Sequence, residues 1–447
     1  MRATLARLLR VNKRCHEIVR GCAILWDRIH FGASDGELGV TQMKVFIERS
    51  KGAYIDVQFA CFVEVDQPTR RAATVMACAL LRENIYRVRS LLFAGKVADL
   101  FPISHSLPAL VCLYVVPFDV ISPNDASQIS HLILDAPNLR TFNYRPVTLR
   151  HAVEDPFKGI NSQHLRNLTL NTDDPKFVEF ISTCSQLRRL SVTCTRLWPG
   201  TPRLPFLHDL DALGPLDGLG PLLATVPPLV HLSVRDFSIV RDIVNYIAED
   251  GRSLWPPLPH LRTLTLTHRH FSDVISVLKT SPHIVALDLS SSEGFVAFLH
   301  ALIARATATP SGDTEHPSNG DPTLVPGLTL LRTTFKRYLA AGSVEPDNDA
   351  SVIVPLVRKL MVTRPNLTVQ IRVPRSIDST ALKPLSEEFP RKLQIRRLSS
   401  RSTYEAEDTM RLAHLYPCNE VMHDLDENVA QTESIADNVT TPLPPKK

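Results

Sequence analysis

Apolar residues recur along this chain with a fixed local spacing. Asn161–Leu170 reads NSQHLRNLTL, and near-copies follow at Cys184–Val192 (CSQLRRLSV), Val226–Val234 (VPPLVHLSV), Leu258–Leu266 (LPHLRTLTL) and Ser281–Leu289 (SPHIVALDL). Two more precede it, Leu107–Val115 (LPALVCLYV) and Ala136–Tyr144 (APNLRTFNY). Leu168 and Leu170 lie two apart, so on an extended segment they share a face, with Asn167 and Thr169 on the other. Each copy thus predicts a short strand with one apolar and one polar side. A helical spacing follows several strands: Phe177, Phe180, Ile181 and Cys184 within Lys176–Ser185, and Phe271, Val274, Ile275 and Leu278 after a cap at Ser272. Asp236 is placed to cap a helix carrying Ile239, Val240, Ile243, Val244 and Ile247, and Ser291 or Ser292 one carrying Phe295, Phe298, Leu299, Leu302 and Ile303. A strand that cannot bury its apolar side alone must stack on its neighbours.

The shared form is a Pro-led or small-residue turn followed by Leu-x-x-Leu-x-Leu, the signature of a leucine-rich repeat. The expected fold is α/β, an irregular leucine-rich-repeat solenoid of parallel strands and helices. Irregularity shows in the spacing. From Leu165 to Leu187 is 22 residues and from Leu261 to Ile284 is 23, but from Leu187 to Leu229 is 42, which leaves room for an insertion. The Asn or Cys usual three residues past the strand is replaced by Asp173, Thr195, Phe237, Arg269 and Ser292.

The repeats are expected over 85–372, with a disordered insertion at about 306–327 and a Gly/Pro loop at Ala212–Gly220. Asp66–Asn84 predicts a helix, with Val75, Cys78 and Leu81 spaced for burial. It closes a connecting segment of strand and helix over 36–84. Leu367, Val369 and Ile371 form a plain alternating strand suited to ending the stack. Residues 373–447 are expected to be a mostly disordered tail, with Pro390–Ser402 a solvated basic stretch.

Residues 1–35 read as two short helices and an extended Arg28–Phe31. Leu8, Val11, Lys13, Ile18, Leu25, Trp26 and Ile29 fit a pattern that continues in Ile47, Arg49, Ser50, Ile55, Asp56 and Val57. That pattern resembles the second half of an F-box and the stretch after it in fungal F-box-like proteins with leucine-rich repeats. Ile85–Phe93 resembles the strand that opens their repeats. The family's first helix has no counterpart, because the chain begins near the middle of the module; Asn12 replaces its usual Cys and Cys15 its Trp. The resemblance implies a substrate-recognition adaptor of a Skp–cullin–F-box ubiquitin ligase. What remains of the site for the Skp-type linker would run through Leu8, Val11, Ile18 and Trp26.

Composition narrows the classes. The chain has 447 residues, 44% hydrophobic and 21% charged, and its net charge of +4 is too mild to imply nucleic acid. Eight scattered cysteines form no C-x-x-C pair, which fits a reducing compartment, cytoplasmic or nuclear, without disulfides or zinc. No apolar run reaches membrane-spanning length. No nucleophile elbow, zincin motif or Gly-rich phosphate loop is present, so neither an enzyme nor a cofactor is expected. The nearest metal-like group, His268, His270 and Asp273, lacks further convergent ligands.

Binding is therefore the expected work, on the polar strand face. Period-two register assigns to it Tyr114, Asn143, Arg145, Asn167, Arg189, His231, Arg235 and Asp288 as contacts for a protein substrate. Arg189, Arg235 and Tyr114 are residue types that carry binding energy at interfaces.

Overall fold

The computed structural model describes residues 11–32, 35–60, 68–95, 107–117, 136–145, 163–171, 177–193, 202–213, 223, 226, 228–235, 258–267, 271–291, 295–304, 324–335, 350–373 and 382–397. Within them lies one α/β sheet of fourteen parallel strands whose spatial order is their sequence order. They are β1 Arg28–Gly32, β2 Ile55–Ala60, β3 Val88–Gly95, β4 Cys112–Pro117, β5 Thr141–Tyr144, β6 Asn167–Asn171 and β7 Arg189–Thr193. Then come β8 Asp209–Leu213, β9 His231–Arg235, β10 Thr263–Thr267, β11 Ala286–Ser291, β12 Leu330–Phe335, β13 Thr368–Val373 and β14 Leu393–Arg397. The helices are α1 Lys13–Gly21, α2 Gly36–Arg49, α3 Pro68–Glu83, α4 Phe177–Thr183, α5 Phe271–Thr280, α6 Phe295–Ala304, α7 Ala350–Thr363 and α8 Lys383–Glu388.

The register explains the leucine spacing. One row of cross-strand partners runs from Ile29 and Val57 through Leu168, Leu190, Leu210 and Leu232 to Val369 and Leu393, and these side chains are buried. A second row, two residues on, starts with Phe31, Phe59 and Phe93, stacked with centroids 4.9 and 5.7 Å apart. It continues through Leu170 and Val192 to Ile371. The leading leucine of the motif fills the turn before the repeat strands. Leu110 N–H donates to Leu107 O, Leu187 N–H to Cys184 O and Leu261 N–H to Leu258 O. Helical residues such as Ala77, Leu81, Phe180, Val277, Phe298 and Leu360 complete the same core. Burying each such aliphatic or aromatic side chain contributes roughly 1.5–3 kcal/mol.

Where the strands begin, the backbone repeats a second device. The carbonyl of the residue before a strand accepts two N–H groups from the next strand's start. Arg140 O takes Arg166 and Asn167, Arg166 O takes Arg188 and Arg189, and Arg188 O takes His208 and Asp209. His208, Val230 and Arg262 continue the series.

Several boundaries differ from the sequence expectation. The stretch expected to be extended from Arg28 and the strand expected within 36–84 are β1 and β2 of the same sheet, which therefore starts ahead of the repeats expected from residue 85, Ile29/Phe31 and Val57/Phe59 alternating without the full leucine motif. The long gap between Leu187 and Leu229 holds β8, whose Leu204, Leu207, Leu210 and Ala212 are all buried. Ala212 and Leu213 are thus strand, not loop. The sheet also passes residue 372: β14 pairs with β13, and Leu393 is buried within the basic stretch. The strand holding Val369 and Ile371 is therefore not the last. Leu324 and Val325, expected in the insertion, are buried in the turn before β12, whereas 305–323 lie outside the described residues. Ser272 lies within α5, one residue past its start. The helix expected after Asp236 and residues 1–10, with Leu8, lie outside the described residues.

Candidate interaction surfaces

The residues that alternate with the buried rows share the opposite face of the sheet. Every substrate-contact position expected from the sequence lies on a strand of that face or directly after one. Asn167, Arg189 and His231 fall in one row, with Asp209 between the last two. Tyr114 and Asn143 are neighbours in the next row, which runs on through Thr169, Ser191, Asp211, Ser233 and Thr265 to Asp288. Arg145 directly follows β5 and its N–H donates to Val115 O. Arg235 ends β9, opposite Leu213 and Thr267. Tyr114 and Asp288 stand seven strands apart, about 34 Å at normal strand spacing. The face is an extended surface rather than one pocket.

Availability varies along it. Asn143 is only 6% exposed, as is the neighbouring Thr141 at 7%, so Asn143 is part of the packing there. Asn167 Nδ2 donates to Thr141 Oγ1 at 3.2 Å. Asp288 is held by Arg372 (Nη2–Oδ2 3.0 Å), and Arg332 donates to Gln370, which donates to Gln394. Arg189 and His231 are the open positions, at 58% and 54% exposure. Between them Asp209 accepts from Arg189 Nε at 2.6 Å and lies 3.7 Å from His231 Nε2. Ser191 Oγ donates to Asp211 Oδ2 at 3.3 Å. Asp209 Oδ1 and the Ser233 hydroxyl have no hydrogen-bond partner among the described residues. A charged, incompletely satisfied cluster therefore spans β7–β9. Sequence reasoning missed its two aspartates because it did not read β8 as a strand.

At the β1 end sits a small helical module. Asn12 caps α1: its side chain accepts from Cys15 N–H at 2.8 Å. Trp26 is buried. Its indole N–H donates to Val19 O at 2.6 Å, Phe46 meets its ring edge-on at 5.0 Å, and the Arg49 guanidinium lies 4.4 Å from the ring centroid. Trp26 is thus an internal anchor between α1 and α2 and does not present a contact surface, contrary to its expected place in the linker site. Val11 (63%), Ile18 (58%) and the unanticipated Ile24 (70%) are exposed. Beside the module, Arg89 grips the buried Asp56 with two hydrogen bonds, 3.1 and 2.7 Å. Asp27 titrates above the ordinary aspartate range, first because of burial and then because of the Asp56 charge.

Among the described residues no three potential ligands converge on a metal, and no helix is long and apolar enough to cross a membrane. His268 and His270 lie outside them. No protein-family model and no curated protein matches the chain.

Proposed function

We propose that this chain is a binding protein built as a leucine-rich-repeat solenoid, and that it serves as the substrate-recognition adaptor of a Skp–cullin–F-box ubiquitin ligase in the cytoplasm or nucleus. The observation that carries the reading is the sequential parallel sheet, whose face opposite the buried rows carries the polar row from Tyr114 and Asn143 through Thr169, Ser191, Asp211, Ser233 and Thr265 to Asp288. A solenoid of this kind lines its concave side with those polar strand positions. Substrate protein contacts them, chiefly around Arg189, Asp209 and His231. The helical module at the first strand engages a Skp-type linker through Val11, Ile18 and Ile24, with Trp26 holding α1 in place. The chain performs no covalent step and needs no cofactor. It raises the concentration of bound substrate beside the ligase's catalytic partner.

Co-expression with a Skp-type linker subunit tests this. A stoichiometric complex is expected for the wild type, with complex formation lost in Val11→Asp/Ile18→Asp while thermal unfolding stays unchanged. A folded wild-type chain that binds no linker would overturn the adaptor reading and leave a stand-alone repeat scaffold.

A further inference from the structure

The edge of the sheet where the strands begin carries an arginine ladder. Arg140, Arg166 and Arg188 immediately precede β5, β6 and β7, and His208 precedes β8. Their backbones are aligned rung on rung, since each carbonyl accepts the N–H of the next member of the series. Successive rungs are therefore about 4.8 Å apart at the backbone. All four side chains are exposed. Arg89, Arg189, Arg358, Arg372 and His231 have acidic partners within 4 Å, whereas Arg140, Arg166 and Arg188 have none among the described residues. Arg262 extends the series two strands on, its side chain touching only the His283 carbonyl at 3.5 Å. The Arg166 guanidinium is held below the ordinary arginine range, first by partial burial and then by the charges of Arg140 and Arg188. The three cations are thus near enough to repel one another.

Stacking like charges at one edge is unfavourable unless an anion bridges them. Planar guanidinium groups suit carboxylates, which they hold by paired hydrogen bonds. We propose that this ladder is a docking edge for an extended, carboxylate-rich peptide segment of a partner protein. Nucleic acid is the weaker fit. Single strands are held by successive aromatic stacking platforms, and the large aromatics exposed in the turns of this edge among the described residues, Tyr54, Tyr86 and Phe206, precede β2, β3 and β8 rather than the arginine-led β5, β6 and β7. The inference rests on the reading of the chain as a binding scaffold but not on linker contact.

The test is fluorescence anisotropy of a labelled deca-glutamate peptide with the full chain. Arg140→Gln/Arg166→Gln/Arg188→Gln is expected to weaken binding about tenfold, the sum of three modest exposed contacts. Lys279→Gln/Lys359→Gln/Arg391→Gln removes the same charge from exposed sites elsewhere and is expected to change it less than about twofold. Circular dichroism melting checks that both variants fold. Equal loss in the two variants would reduce the effect to net charge and overturn the proposal. Tighter binding of oligothymidylate than of the peptide would overturn it in favour of nucleic acid. Linker co-purification is read separately, so failure of the ladder and failure of the adaptor reading remain distinguishable.

Discussion

Single residues carry loads that the leucine pattern does not announce. Arg364 occupies the turn position filled elsewhere by Leu107, Leu204 or Leu258, yet it is only 9% exposed. Its guanidinium donates to Val325 O at 2.8 Å, Leu324 O at 2.7 Å and Leu302 O at 3.4 Å, tying α6, the turn before β12 and the start of β13. It supplies locally the carbonyl satisfaction that an asparagine ladder would give. Arg364→Met should destabilise the fold by about 2–4 kcal/mol, because it strands buried carbonyls; urea unfolding measures this, and an unchanged midpoint would contradict it. Cys184 is buried, its thiol donates to Phe180 O at 3.4 Å, and burial pushes its pKa up to about 12. In the native state iodoacetamide should modify the partly exposed Cys15 and Cys22 well before Cys184, as peptide mass spectrometry would reveal. Asp27 titrates above its unfolded value, so its charge opposes folding at neutral pH. That opposition fades as pH falls through the raised value. Asp27→Asn should therefore raise the melting temperature at neutral pH and give no gain at a pH where the native carboxyl is already protonated.

At the scale of elements, alternation was legible wherever leucine supplied it. β4 to β7 and β9 to β11 follow from Leu-x-x-Leu-x-Leu alone. β8 was not, since Ala212 fills its second buried position, where a small side chain lowers the apolar contrast. β1 and β2 use Ile, Val and Phe without the leading leucine, and β14 alternates only Leu393 and Ile395 inside a run of basic residues. The polar face itself was readable because a strand's period is two whatever its neighbours are. The Arg189–Asp209–His231 grouping was not, because cross-strand partners require the register of three separate strands. Trp26 was misplaced for a related reason: its burial depends on Phe46 and Arg49 of α2, far along the chain. A direct check on β8 is Leu210→Ala. A core position in a central strand should lose about 2–5 kcal/mol, whereas a solvated loop would lose less than about 0.5 kcal/mol.

Among the described residues the sheet grows by one strand at a time, each strand pairing along its backbone with its sequence neighbours. Such a stack displays side chains over a long surface at little cost in loop closure. On the proposed function it would also keep distinct tasks apart: linker contact beside β1, substrate on the polar face, and an acidic segment along the arginine edge. On this reading linker binding leaves the strands untouched. Hydrogen–deuterium exchange of the full chain, with and without saturating Skp-type linker subunit, tests that division most directly. The predicted result is slowed exchange confined to residues 11–26, with β4 to β14 unchanged. Slowed exchange on the strands instead, or no change anywhere, would contradict it.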